Sequence, residues 1–537
     1  MLKMPSDIDV RAHLGEGDSN MPARVTLDAM IPREDFAWEG QEFVLDLFPG
    51  LPIESLSNEA PILKLLRKPD FQRETNHWSA EQIAIFVASF LDNEVIPSLI
   101  LWKSPSFIFV IDGGHRLSAL RAWMLNDYGD DRVSQNFYNG EISDLQKRVA
   151  KRARKVIEDR VGRFNTLKDF VGTKLGSEEQ RRRANLLFTR ALPVQWIQGN
   201  AAFAETSFFK INSQGTPLDE TETMLITNRR KPVAISARAI LRAGAGHKYW
   251  SGFLQDNVSS IESLAADFHR VLFSPEVTHP LRTLDVPVGG SVSPVDALAL
   301  LIEFLVIAGT RDQRGMVITA YPDDETGAGT VSVLRNSLEI INRITGISSG
   351  SLGLHPAVYF YNDKGRFNRF LFLGMSLTIT EKMRNNDSGF FRKFTHAREK
   401  LEKFLMENKS LISALLQNMA KSQRVPKMRD LLVFLMTTIN ADEAVTPEAL
   451  IRSLGLQGRI IDVVAATTSV DFSDDTKAMI FVRQALSAAL ICPLCRGKLD
   501  PNKSVSYDHI VRVRDNGKGD VGNGDLVHPY CNSAMKN

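Results

Sequence analysis

Three cysteines and one histidine near the end of this chain have the spacing to hold a metal. The 537-residue sequence contains Cys492, Cys495 and Cys531 and no other cysteine, all within its last 46 residues. Cys492-x2-Cys495 forms one knuckle. His528-x2-Cys531, which begins thirty-three positions after Cys495, forms a second. Three thiolates and an imidazole on two knuckles complete a tetrahedral, closed site of the kind that holds structural zinc. A segment this short buries little core of its own, so a metal staple is what it physically needs. A lone C-x2-C is also compatible with chance or with a bare zinc ribbon, and the second pair argues against chance. Three cysteines are too few for a secreted disulfide scaffold.

Between the knuckles lies Tyr507-Asp508-His509-Ile510, followed by Asn523 and, directly after the last cysteine, Asn532. This pattern resembles the HNH (ββα-metal) endonucleases: a C-x2-C knuckle, a D-H pair, a central Asn and a closing C-N. The resemblance implies a small zinc-stapled module that hydrolyses phosphodiesters, with Asn523 bracing the loop that carries His509. His528 stands where cysteine is commoner and remains a good zinc ligand. Few residues follow Asn532, so a short final helix is expected. The side chains suit this chemistry in themselves. Phosphodiester hydrolysis needs a base to activate water and a cation to stabilise the developing charge. His509 is the candidate base, because imidazole ordinarily titrates near neutrality. Asp508 and Asn532 offer hard oxygen ligands for one Mg2+ or Mn2+ ion, separate from the zinc. The competing reading is a degenerate module that only binds DNA.

A second set of residues lies in the first half of the chain. Its segments are Pro69-Asp70-Phe71-Gln72-Arg73, then Phe109-Val110-Ile111-Asp112-Gly113-Gly114-His115-Arg116-Leu117-Ser118-Ala119-Leu120, then Phe209-Lys210-Ile211-Asn212-Ser213-Gln214-Gly215-Thr216-Pro217-Leu218. The middle segment puts a glycine turn between a strand and a helix. Exposed N–H groups and the dipole at such a helix start favour a phosphate. Arg116, one turn in, could clamp it, and Asp112 could hold Mg2+ or orient a water. The structural alternative is that Asp112 caps the helix, that Arg116 pairs with it or with another acid, and that Asn212 and Gly215 shape a turn. As an ordered set, over roughly residues 56–226, the segments resemble the ParB/sulfiredoxin-like domain carrying a D-G-Q-x-R motif. That domain occurs in GmrSD-type modification-dependent restriction enzymes and in the phosphorothioate-sensing defence protein SspE. The resemblance implies nucleotide binding and hydrolysis at Asp112, Gly113, Gly114, His115 and Arg116. Gln72 and Arg73 match the family's Q-R element near the same pocket, and Asn212 joins from the third segment. Gly114 is a departure, because the family usually has Gln there. If that Gln positions the attacking water, hydrolysis in this chain is weak and nucleotide binding only gates.

The elements that must position these residues follow from periodicity. Residues 79–93 read as a capped helix, 97–103 and 106–111 as buried strands, and 115–125 as a helix after the glycine turn. Residues 194–197 and 205–211 read as further strands. Residues 144–163 carry eight Lys/Arg and three acids at helical spacing, either a solvated face or a phosphate-contacting helix; Arg181-Arg182-Arg183 is a weaker case. From about 240 to 485 the pattern is mainly helical, with examples at 295–307, 387–407, 411–420, 430–439 and 447–454. Residues 354–361 read as a packed core segment, with a pocket for an altered base or a DNA contact as the alternative, and His396 as a surface residue. The expected architecture is α+β and multidomain. It comprises an arm (1–55), the ParB/sulfiredoxin-like domain (56–240), a helical middle (241–485) and the HNH module (486–537).

Composition narrows the function classes. Lys+Arg of 65 against Asp+Glu of 63 leaves a net charge of +2, so any nucleic-acid surface must be local. The most apolar stretch, residues 297–309, falls short of the ~20 residues that span a bilayer and contains Glu303. The start lacks the apolar core of an export signal, and a cytoplasmic protein without a membrane partner is expected. The reading is a DNA endonuclease of modification-dependent restriction type, in defence against phage, with a nucleotide-handling or sensing front domain. Its expected partners are double-stranded DNA, modified or not, and a nucleotide. A homodimer would allow one nuclease site to cut both strands. The alternative is a ParB-like, nucleotide-dependent DNA-binding regulator whose HNH module is inactive or auxiliary.

Overall fold

The computed structural model describes residues 24–34, 36, 43–70, 72, 75–214, 220–290, 294–310, 317–456 and 471–535. A six-stranded mixed sheet organises the first half. Its strands are β1 (Arg33–Glu34), β2 (Gly50–Pro52), β3 (Leu66–Pro69), β4 (Leu99–Lys103), β5 (Ile108–Asp112) and β6 (Ala191–Ile197). They lie in the order β1-β3-β5-β4-β6-β2. β3 runs parallel to β1 and β5; β4 runs antiparallel to β5 and parallel to β6. The apolar run of β5 is buried on both faces, which places it centrally. Ile108 and Val110 enter a core shared with the helices Ala80–Leu91, Gly114–Leu125 and Asp144–Val161. Phe109 and Ile111 enter another with Phe36, Trp102 and Phe208.

Local rules explain the ends of these elements. Ser79 accepts a hydrogen bond from the Gln82 N–H, and the Gln82 side chain accepts one from the Ser79 N–H. This capping box starts the helix Ala80–Leu91. The described residues before β3 are integral to the sheet's core. Val25, Leu27, Met30 and Ile31 are buried there, and buried Asp28 pairs with Arg33 (2.6 Å) and Lys68 (2.7 Å). Burial pushes the Asp28 carboxyl up, but the two cations together hold it well below the usual range.

One expected element is different. Residues 205–211 are not a strand but lie inside the helix Ala201–Gln214. Asn200 accepts the Phe203 N–H (3.0 Å), and the alanines at 201, 202 and 204 favour helix over the aromatic and β-branched positions that suggested a strand. Phe208 then buries against the sheet.

The middle of the chain is a helical layer with one large apolar core, entered first by Leu225 and the helix Pro232–Leu241. The expected helices appear as Pro294–Ala308, Ser388–Glu407, Lys409–Gln417, Arg424–Asn440 and Pro447–Ser453. Residues 354–361 are buried, with a short helix at Pro356–Tyr359. The same core takes in Val482, Leu486 and Tyr530, so the end of the chain is packed onto it. There, β7 (Ser506–His509) and β8 (Gly524–Val527) form an antiparallel hairpin, followed by one π-helical turn at Cys531–Met535. Among the described residues, no helix is long and apolar enough to cross a membrane.

Candidate metal centre and glycine-turn site

The two knuckles converge. Cys492, Cys495, His528 and Cys531 are buried, and their ligand atoms lie within 4.8 Å of one another. The first knuckle closes through Arg496 N–H to Cys492 O and Cys492 N–H to Gly497 O, both 2.9 Å. His528 Nδ1 lies 3.3 Å from Cys495 Sγ and 3.9 Å from Cys531 Sγ. A zinc tetrahedron with bonds of about 2.3 Å to sulfur and 2.0–2.1 Å to nitrogen has S···N edges of about 3.6 Å, so the four residues fit that ion. His528 Nε2 lies 3.0 Å from Lys498 O. That partner assigns the proton to Nε2 and leaves Nδ1 to the metal. Without a cation the three thiols hold their protons unequally. Hydrogen bonding from Cys495 holds Cys492 far below the usual thiol range, and the same contact pushes Cys495 up to about 11. Contact with Cys492 and then Cys495 drives Cys531 far above it. A bound dication would take all three as thiolates.

The helical layer builds the seat for these knuckles. Arg398, buried, pairs with Glu402 at 2.7 Å and donates to Leu352 O (2.5 Å) and Gly353 O (2.9 Å). Glu402 also accepts from Tyr359 Oη (2.9 Å) and from the Lys498 N–H (2.6 Å), at the end of the first cysteine knuckle. The approach is close. A Cβ at Gly497 would sit 2.4 Å from Arg398 Nε, and one at Gly353 would sit 2.8 Å from His528 Cδ2. Ser504 Oγ meets Thr345 Oγ1 (2.9 Å) and the Gly346 N–H (2.8 Å), and the Tyr530 N–H donates to Ser351 O (2.9 Å). Sequence reasoning missed Arg398 and Glu402. Their i,i+4 spacing was visible, but such spacing is ordinary on a solvated helix.

Asp508 and His509 end strand β7, in register with Asp525 and Gly524 of β8. Asn523 ties down the loop that follows. Its Oδ1 accepts the Val511 N–H (2.6 Å), its Nδ2 donates to Val511 O (3.1 Å) and Lys518 O (2.7 Å), and its carbonyl accepts the Ile510 N–H (2.9 Å). The loop folds back so that a Cβ at Gly519 would lie 4.0 Å from His509 Nε2. Asn532 donates through Nδ2 to Ser506 Oγ (2.8 Å) and Tyr507 O (3.3 Å), which packs it against the strand bearing Asp508 and His509.

The glycine-turn site has a different character. Gly113, at φ 99°, makes the turn from β5 into the helix Gly114–Leu125, and a Cβ there would sit 2.4 Å from Leu99 Cδ2. Arg116 pairs with Asp112 and donates to Pro97 O and to Ser98 O (3.2 Å). Gln72 Nε2 donates to Val110 O (3.3 Å) and Ile111 O (3.4 Å), while its buried Oε1 has no partner among the described residues. A Cβ at Gly114 would lie 3.4 Å from that oxygen. His115 stacks on Trp78, with centroids 5.7 Å apart, and meets His77 edge-on at 5.8 Å. His77 reaches Glu222 at 2.8 Å, and Arg229 reaches Asp70 at 3.8 Å and Glu205 at 3.1 Å. His77, Trp78, Glu222 and Arg229 were not foreseen. Arg73 lies outside the described residues, as does the side chain of Asn212, whose backbone is in the helix Ala201–Gln214.

No curated protein and no solved structure matches the chain. Residues 53–229, spanning β3 to β6 and the glycine turn, match the family model for the GmrSD restriction endonuclease, N-terminal domain, so the chain carries a GmrSD-type N-terminal domain.

Proposed function

We propose that this protein is a metal-dependent DNA endonuclease of modification-dependent restriction type, cytoplasmic and active against phage. In this reading an HNH module cuts, and a ParB/sulfiredoxin-like front domain senses a mark or gates the cut through a nucleotide. The observation that carries it is the joining, in one chain, of a GmrSD-type domain to a four-ligand metal cluster with Asp508, His509, Asn523 and Asn532 arranged around the adjoining hairpin. His509 takes the proton of the attacking water at an imidazole nitrogen. Asn523 fixes the loop beside it, so that this nitrogen holds its position. Asn532 commits its amide nitrogen to Ser506 and Tyr507, which leaves Oδ1 to join Asp508 as a hard-cation ligand. A bound Mg2+ or Mn2+ ion supplies charge stabilisation for the phosphate oxygens. The Cys3His centre is structural, because four protein ligands leave no open position.

At the glycine turn, the reading is nucleotide binding as a gate. The mutual pairing of Asp112 and Arg116, and the lack of a side chain at Gly114, favour binding over hydrolysis. Cutting both strands calls for a homodimer or two successive nicks.

The test is cleavage by the purified chain with Mg2+ or Mn2+. Plasmids would be unmodified, base-modified or phosphorothioated, with and without each nucleoside triphosphate. Cutting of one modification state is expected. The His509→Ala variant should lose about 10²- to 10⁴-fold in rate while keeping its zinc. Undiminished cutting by that variant would remove the HNH assignment. No cutting, with nucleotide-dependent DNA binding, would favour the regulator.

A further inference from the structure

The basic helix Asp144–Val161 is not explained by either site. Its nine residues from Lys147 to Lys155 contain six cations and no acid. Like charges one turn apart destabilise a helix, and here they recur at 147/151, 148/152 and 151/155. The acids sit outside this stretch, at Asp144, Glu158 and Asp159. A face evolved only for solubility would interleave the two signs, because opposite charges at this spacing stabilise.

Neighbours neutralise part of the charge. Lys147 pairs with Asp144 (3.5 Å), Arg152 with Glu81 (3.6 Å) and Arg154 with Asp130 (2.7 Å). Arg148, Lys151 and Lys155 are exposed and form no ion pair among the described residues. Their i, i+3, i+7 spacing makes one stripe. It lies opposite Ala150, Ala153, Ile157 and Val161, which are buried in the sheet's core. The apolar face is therefore already used, which rules out a membrane-lying amphipathic helix and leaves a cationic ridge directed at solvent. Seven residues of helix advance about 10 Å, the axial run of about three phosphates on one DNA strand at about 3.4 Å each.

We propose that Arg148, Lys151 and Lys155 form a DNA-backbone contact surface on the front domain, separate from the glycine turn and from the hairpin of the metal module. It holds duplex DNA by phosphate charge alone. This rests on the reading of the protein as a DNA-acting enzyme and adds where the front domain grips the duplex. Contact of this kind carries no sequence or mark information, so it serves residence on DNA.

The experiment is equilibrium binding of a short unmodified fluorescent DNA duplex to the full-length chain, without added divalent cation, from about 50 to about 200 mM salt. Three forms are compared: the parent, R148Q/K151Q/K155Q, and the charge-conserving R148K/K151R/K155R. Removing three phosphate contacts should reduce the steepness of log K against log salt by about 2.7. The charge-conserving form should keep the parent slope. The Gln form should melt at the same temperature as the parent or higher, because repulsion within the helix is relieved. An unchanged slope in the Gln form, with the parent binding DNA, overturns this surface and leaves the nuclease reading standing. A slope lost equally in both forms also overturns it, because charge would not be the cause. No DNA binding by the parent at any salt overturns the surface and the reading together.

Discussion

The two candidate sites differ in how they are satisfied. At the candidate metal centre, three buried thiols and a buried imidazole converge on one point, with their ligand atoms within 4.8 Å of one another. At the glycine turn, the charged groups answer one another: Asp112 pairs with Arg116, and Arg116 also closes the backbone leading into β4. Gln72 Oε1 is a buried polar atom there without a hydrogen-bond partner among the described residues. A cluster of three soft thiols and an imidazole suits few ligands besides a thiophilic metal ion. A cluster whose charges answer one another is a site only when something displaces its internal partners. The first has the donor set of a metal site, and the second is internally paired.

The largest test of this contrast is metal loss. Cys495→Ser should bring zinc content to near zero and open the chain to protease beyond Leu490, because structural zinc in small modules supplies about 10–16 kcal/mol of folding free energy. Full zinc content, or an unchanged digest, would put the two sites on an equal footing.

The next effect concerns the seat beneath the knuckles. Arg398→Met strands Glu402 among buried groups and should cost about 3–5 kcal/mol in chemical unfolding. A cost below about 1 kcal/mol would mean that the module rests on the helical layer without being fixed by it.

Acid should act on the same region. His355 is 2 % exposed, and its Nδ1 caps the helix Pro356–Tyr359 by accepting the Ala357 N–H at 3.2 Å. Burial lowers its pKa to about 4, below the unfolded value of about 6.5. Its stabilising contribution is thus complete above about pH 6.5 and is lost as pH falls through about 4, for a total of roughly 3 kcal/mol. His355→Asn, which can still cap, should lose less stability than the parent between about pH 7 and about pH 4. Parallel losses in both proteins would mean that other groups carry the acid sensitivity.

The smallest effect is expected at the glycine turn. Arg116→Ala should lower stability by about 1–3 kcal/mol by orphaning Asp112 and two carbonyls, and should also weaken nucleotide binding measured by calorimetry. Lower stability with unchanged nucleotide affinity would assign this turn to the fold alone and widen the contrast between the two sites.

Much of this was legible from residue order. Cys492, Cys495, His528 and Cys531 announce a shared ligand because so few side chains suit it. The strand, glycine turn and helix around Gly113 follow from rules that act over a few residues. Residues 205–211 misled, because aromatic and β-branched side chains mark a strand only when no cap and alanine-rich start propose a helix first. The pairing of Asp112 with Arg116 was one of two open readings, and i,i+4 spacing cannot say whether a charge turns inward or toward a ligand.

The sequence alone determined the candidate ligand set, the candidate base His509 and the run of cations from Lys147 to Lys155, since each depends on residue type and local spacing. Only the tertiary structure decided that a buried Arg398–Glu402 pair from a distant helix seats the first cysteine knuckle, that His77 and Trp78 pack on His115 beside the glycine turn, and which three of the six cations from Lys147 to Lys155 remain without an acidic partner among the described residues. The physical reason is range. Ligand type and helical period are local properties, whereas burial and charge pairing depend on which distant segment the packing brings alongside.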